Sequence, residues 1–154
     1  GNADSHEDLI RESLKPNVTL NPIYRDGVPT TRKCRFIDEG YMGKLFEVYY
    51  FDDTPPDANL ESTITTAIAE KAGDFDLVIA TDFGHGMLTE PAIKTLSGKS
   101  RFLAVNTQTN SANLGYNLIT KYHRSDFVCI DAPEAQLAAG DRFSDIETIV
   151  ISKR

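Results

Sequence analysis

Three observations predict an α/β fold in which a parallel sheet carries an antiparallel hairpin. Short continuous apolar runs at residues 77–80, 102–105 and 127–130 are of the kind found in buried parallel strands. Segments with helical periodicity, over residues 60–72, 89–96 and from 132 on, alternate with these runs in the manner of βαβ units. Ahead of them, residues 30–38 and 45–52 read as two strands joined by the turn Glu39-Gly40-Tyr41-Met42-Gly43, an antiparallel hairpin.

In chain order, residues 5–14 read as a short helix with Ser5 as N-cap, closed by Lys15-Pro16. Residues 18–24 are a weak strand candidate ended by the turn Arg25-Asp26-Gly27. After the hairpin, Pro55-Pro56-Asp57 breaks the chain. Leu60, Ile64, Ala67, Ile68 and Ala72 then repeat at helical spacing, with Gly73 expected to close the helix. Residues 89–96 form a further helix, with Thr89 as N-cap and Pro91 in the first turn, where proline is tolerated. Helices are also expected from Ala132-Pro133-Glu134 and over residues 143–151. The organisation that follows is an N-terminal helix and connecting segment over 1–29, the hairpin over 30–53 and a βα core over 54–154.

The chain has 154 residues, 40% hydrophobic and 25% charged, a globular composition long enough to bury a core. No apolar run reaches the roughly 20 residues needed to span a bilayer. Asp4, Glu7 and Asp8 stand where a signal peptide would be apolar, and the polar start suits a cut inside a longer protein. A net charge of −7 without a basic stripe argues against duplex nucleic acid as a partner. Cys34 and Cys129 lie far apart in strand-like runs, which favours two buried thiols in a reduced, cytoplasmic compartment over a disulfide.

Ligands of open parallel sheets gather at the carboxyl ends of the strands, and three such ends are polar here. After Ala80 comes Thr81-Asp82-Phe83-Gly84-His85-Gly86. Its glycines, Gly84 and Gly86, allow close backbone approach, and Asp82 can accept sugar hydroxyls or orient a cation, or else cap a tight turn. After Val105, Asn106-Thr107-Gln108-Thr109-Asn110-Ser111 is either a polyhydroxy-ligand loop or an ordinary surface turn. After Ile130, Asp131 and Glu134 stand three apart at a strand-to-helix junction, as water-mediated Mg²⁺ ligands or as a helix cap. On the first hairpin strand, Lys33 and Arg35 share a face that can meet an anionic substrate or form a salt-bridged surface.

The order of these motifs resembles the PfkB (ribokinase-like) carbohydrate kinases, and most closely the heptose-7-phosphate kinase module of ADP-heptose synthases. Lys33 and Arg35 in Pro29-Thr30-Thr31-Arg32-Lys33-Cys34-Arg35 fall on the basic positions of that group's first motif. Asp82 and Gly86 match its Ser-Asp-Tyr-x-Lys-Gly, and Asp131 and Glu134 its Asn-x-x-Glu. The family's second-motif lysine is His85 here, its third-motif asparagine is Asp131, and its Asp-Pro-Lys is Asn106-Thr107-Gln108. The resemblance implies a three-layer ribokinase-like sheet with a lid hairpin, and ATP and Mg²⁺ as cofactors. It implies transfer of the γ-phosphoryl group to a sugar or sugar phosphate, with Lys33, Arg35, Asp82, Gly84, Gly86 and Asn106 on the sugar side. Asp131 and Glu134 fall on the metal side. A homodimer through the hairpin and a fused nucleotidyltransferase module are also implied. The family's Gly-Ala-Gly-Asp segment lies much further downstream than Ala138-Ala139-Gly140-Asp141, so Asp141 is expected to be a turn residue. The chain is therefore expected to be an incomplete core, inactive alone. The alternative is a non-catalytic kinase-like domain used for dimerisation or ligand binding.

Overall fold

A computed structural model describes residues 1, 5–110 and 113–152. Ser111 of the predicted polar loop, the polar start at residues 2–4 and the Ser5 side chain with its predicted cap lie outside what is described. The chain divides into two compact units, residues 1–54 and 55–154.

In the first unit, helix α1 (Ser5–Ser13) is braced by a pair from Arg11 to Glu7, which also accepts the Tyr24 hydroxyl at 2.8 Å. Residues 18–24 form no strand, because no partner pairs with them. Strands β1 (Arg32–Asp38) and β2 (Gly43–Tyr50) form the expected antiparallel hairpin. The register shifts between Phe36 and Ile37: Phe36 opposes Phe46 while Ile37 opposes Lys44, leaving Leu45 as the extra residue of a bulge. In the turn, Asp38 Oδ1 accepts the amides of Gly40 and Tyr41. The left-handed residue is Met42, φ 51°, and neither Gly40 nor Gly43 takes that conformation. One hairpin face carries Phe36 and Phe46, stacked at 4.3 Å, with Arg32 over the Tyr50 ring; the other carries the charges.

The second unit opens with α2 (Ala58–Lys71), whose N-cap Asp57 accepts the Leu60 amide at 2.8 Å. Gly73 does not close it with a left-handed turn; the helix tightens into a 3₁₀ turn over Ala72–Asp74. Strand β3 (Val78–Asp82) pairs in parallel with β4 (Leu103–Thr107), and β4 with the two-residue β5 (Phe127–Val128), giving the order β3-β4-β5. Helix α3 (Glu90–Lys99) lies between β3 and β4; Thr89 has N-cap backbone geometry, but its hydroxyl makes no capping bond. Helices α4 (Ala132–Ala139) and α5 (Ile146–Ser152) follow, α4 ending at left-handed Gly140. Asp141 Oδ1 accepts the amides of Phe143 and Ser144, a turn residue as expected.

Ala80, Leu103 and Val105 on one sheet face pack with Ile93 and Leu96 of α3 and with Tyr122. The register puts Ile79, Ala104 and Phe127 in one row on the opposite face, where Ile79 is 64% and Phe127 56% exposed. Ile79 and Phe127 are thus open on that face among the described residues, and β3 and β5 are not the buried strands that their apolar runs imply. The cysteines are corrected too: both are free thiols, Cys34 half-buried and Cys129 exposed.

Candidate functional site

Strand β4 runs on through Asn106 and Thr107, so those residues are not the start of a loop. They continue because Thr81 and Asp82 of β3 keep pairing with them. That pairing sets Asp82 at the carboxyl end of the sheet, on the covered face and only 4% exposed.

A buried carboxylate needs its lone pairs filled. Asp82 Oδ1 accepts the Gly84 amide at 3.0 Å, while Oδ2 accepts the Tyr122 hydroxyl at 2.8 Å and pairs with Lys121 Nζ at 2.6 Å. Its backbone carbonyl accepts Gln108 N and Asn117 Nδ2. Asn117 Nδ2 also reaches the Gln108 carbonyl, Asn113 Nδ2 donates to the Phe83 carbonyl, and the Lys121 ammonium donates to Asn117 Oδ1. Asp82 thus holds the loop after β3 against the segment leading to the 3₁₀ turn Ile119–Lys121. Burial, then the adjacent Asp82 charge, pushes the Tyr122 hydroxyl far above the ordinary tyrosine range, so it stays a proton donor.

Gly84 and Gly86 both adopt left-handed φ, 69° and 77°. A Cβ on Gly84 would overlap the side chains of Asn113 and Asn117, so the polar segment lies directly against this glycine. A recess of about 340 Å³ runs along β3, lined in part by Thr81, Asp82, Phe83, His85 and Met87.

Asp131 and Glu134 form a complete capping box on α4. Asp131 Oδ1 accepts the Glu134 amide at 2.8 Å, and Glu134 Oε2 accepts the Asp131 amide at 2.9 Å. Buried Glu134 also takes the Thr109 amide on Oε1 at 2.7 Å, joining the loop after β4 to the start of α4. Asn106 Nδ2 donates to the Cys129 carbonyl at 2.7 Å. Among the described residues no group of three or more His, Cys, Asp or Glu assembles as a metal cage.

Lys33 and Arg35 belong to the first unit. Both contact Glu47, at 3.1 and 2.9 Å, and so does Lys44 at 2.9 Å. These hydrogen bonds, Lys44 first, hold the Glu47 carboxyl far below the usual carboxylate range.

Sequence reasoning missed Lys44 and Glu47 on the hairpin, and Asn113, Asn117, Lys121 and Tyr122 around Asp82. Glu47 was findable, since it stands opposite Arg35 once the hairpin register is drawn. The Asp82 partners follow no periodicity, and only the density of asparagine after β4 hints at them.

The chain is similar to curated proteins called bifunctional protein HldE. That of Rhodopseudomonas palustris (strain BisB5) is 28% identical over 128 residues, 79% of this chain and 25% of that protein. The Pelobacter propionicus protein is 22% identical over 151 residues, 97% of this chain and 30% of that one. The Bradyrhizobium diazoefficiens protein is 24% identical over 139 residues, 81% and 28% respectively. The resemblance to that group, drawn from the motifs, is borne out at the level of a distant relative. The chain spans about a quarter of the length of the first relatives. No family model matches.

Proposed function

We propose that this chain is the central part of a sugar kinase of the heptose-7-phosphate kinase type, within a protein that also carries a nucleotidyltransferase module. The observation that carries this reading is the match to bifunctional HldE proteins over as much as 97% of the chain. The clustering of Asp82, Gly84, Asn106 and Glu134 at the carboxyl ends of parallel strands supports it, since ligands of such sheets bind there.

The reaction moves the γ-phosphoryl group of ATP to a sugar hydroxyl, and positioning and charge stabilisation carry most of such catalysis. On this reading Lys33 and Arg35 supply the positive charge for an anionic substrate group. Asp82 with the Gly84–Gly86 turn shapes the sugar side, and Asn106 lies at the end of the neighbouring strand. ATP and Mg²⁺ are the cofactors. Mg²⁺ keeps several waters and is held largely by substrate phosphates, so it needs few protein ligands. Asp131 Oδ2 is the one oxygen of the Asp131–Glu134 pair that accepts no hydrogen bond among the described residues, which fits a single contact to such an ion. When bound, the ion neutralises phosphate charge; the residues here orient the loops around it.

The chain alone is proposed to be inactive and the longer protein active. A coupled ADP-release assay on both, with sugars and sugar phosphates, tests this. Turnover by the 154-residue chain alone, or none by the full protein, would overturn it.

A second reading is a non-catalytic domain that associates through the hairpin. The exposed stacked pair Phe36–Phe46 favours it. A sedimentation series in which Phe46→Ser leaves the association state unchanged would remove it.

A further inference from the structure

The charged face of the hairpin is more organised than two basic residues on a strand. The bulge at Leu45 reverses the facing of the residues before it, which brings Lys44 onto the side of Glu47. Three cations from both strands then surround one carboxylate. Glu47 Oε1 accepts Arg35 Nε and Lys44 Nζ, both at 2.9 Å. Oε2 takes Lys33 Nζ and the Tyr49 hydroxyl, both at 3.1 Å. The Tyr49 ring also lies under the Lys33 ammonium, 4.8 Å away.

The Glu47 side chain is 13% exposed, whereas those of Arg35 and Lys44 are 58% and 57% exposed. The carboxylate thus sits at the base and the cations rise around it. With four donors on two oxygens the acceptor is saturated, while the donors are not. Arg35 commits only Nε, which leaves both guanidinium NH₂ groups for side-by-side contact with two oxygens of one anion. Each lysine has N–H groups beyond the one given to Glu47. Among the described residues, three cations against one carboxylate leave two positive charges uncompensated on the face.

We propose that this face is a charge-matched site for a tetrahedral dianion of the phosphate-monoester class, with Lys44 as its third arm and Glu47 as the residue that sets the charge it accepts. This rests on the kinase reading above and names the part of the substrate the hairpin would hold. Glu47 fixes the spacing of the cations before the ligand arrives, so little ordering cost is left to binding. It also limits the site's charge, so that a dianion neutralises the face and a monoanion does not.

The test is an amide-resolved NMR titration of the whole chain at about pH 8. Inorganic phosphate and glycerol 3-phosphate are compared with chloride and acetate at equal ionic strength. The expected result is saturable shifts at Lys33, Arg35, Lys44 and Glu47 with the phosphate compounds only. Lys44→Ala weakens that binding about fivefold, the size of one exposed charge contact. Glu47→Gln moves the preference from phosphate towards pyrophosphate. Because the Glu47 variant can disturb the hairpin, the anion series on the unaltered chain and the Lys44 variant each decide independently. Equal affinity for chloride or acetate, or unchanged phosphate binding in Lys44→Ala, overturns the proposal. Phosphate binding on the hairpin with no sugar phosphorylation by the full protein would instead sink the kinase reading and leave this site standing.

Discussion

At the scale of single residues, Asp82 and its neighbours carry most of the consequence. Lys121 supplies the cation for a nearly inaccessible carboxylate, so Lys121→Met leaves that charge, among the described residues, with the Tyr122 and Gly84 donors. Breaking a fully buried pair costs about 3–5 kcal/mol; Lys121 is partly solvated, so a loss of roughly 2 kcal/mol is expected. Urea unfolding measures it, and Lys121→Arg should recover part. Gly84→Ala is expected to cost about 2 kcal/mol or more, since a left-handed φ and an overlap with Asn113 and Asn117 act together. Of these partners only Gly84 was singled out beforehand. Asn117 and Tyr122 lie 35 and 40 positions from Asp82, in turns and 3₁₀ structure without a repeat to read. Asp131 and Glu134 were legible as a pair, and both of their roles, cap and metal contact, were open. The hydrogen bonds establish the cap.

At the scale of elements, the hairpin holds two testable features. Met42 is left-handed where glycine is cheaper, so Met42→Gly should stabilise the chain by about 0.5–1 kcal/mol in thermal or urea unfolding. Glu47 gives a pH dependence whose sign is fixed. Its carboxyl is held below the unfolded value by Lys44, Arg35, Lys33 and Tyr49, so its contribution is present in full above the unfolded pKa. That contribution is lost progressively as pH falls towards the depressed folded value. The hairpin amides should therefore lose dispersion on acidification, and Glu47→Gln should flatten that response. The hairpin and α2 were legible because a glycine turn between alternating runs and Pro55-Pro56-Asp57 before a helical repeat are local signals. The ends of β4 were not. Pairing with β3 carries it through polar Asn106 and Thr107, a decision made by a neighbouring strand rather than by hydropathy.

At the largest scale, α3 and Tyr122 cover one face of the parallel sheet, while Ile79 and Phe127 on the other are exposed among the described residues. A residue on the covered face should behave as core. Ile93→Ala is expected to cost about 2–4 kcal/mol, while Ile79→Thr on the other face stays within about 0.5 kcal/mol. Paired denaturation curves separate the two. The apolar runs of β3 and β5 announced strands without announcing that only one side would be packed, because an apolar run reads the same whether both faces are covered or one.

The carboxylate of Glu134 has one more consequence. It accepts the amides of Thr109 and Asp131, which belong to loops following different strands. Both amides lose their hydrogen bond when that single side chain swings away, so the two should show a common protection factor. In Glu134→Ala they should speed up together. Two strand-end loops far apart in sequence would then breathe as one latch.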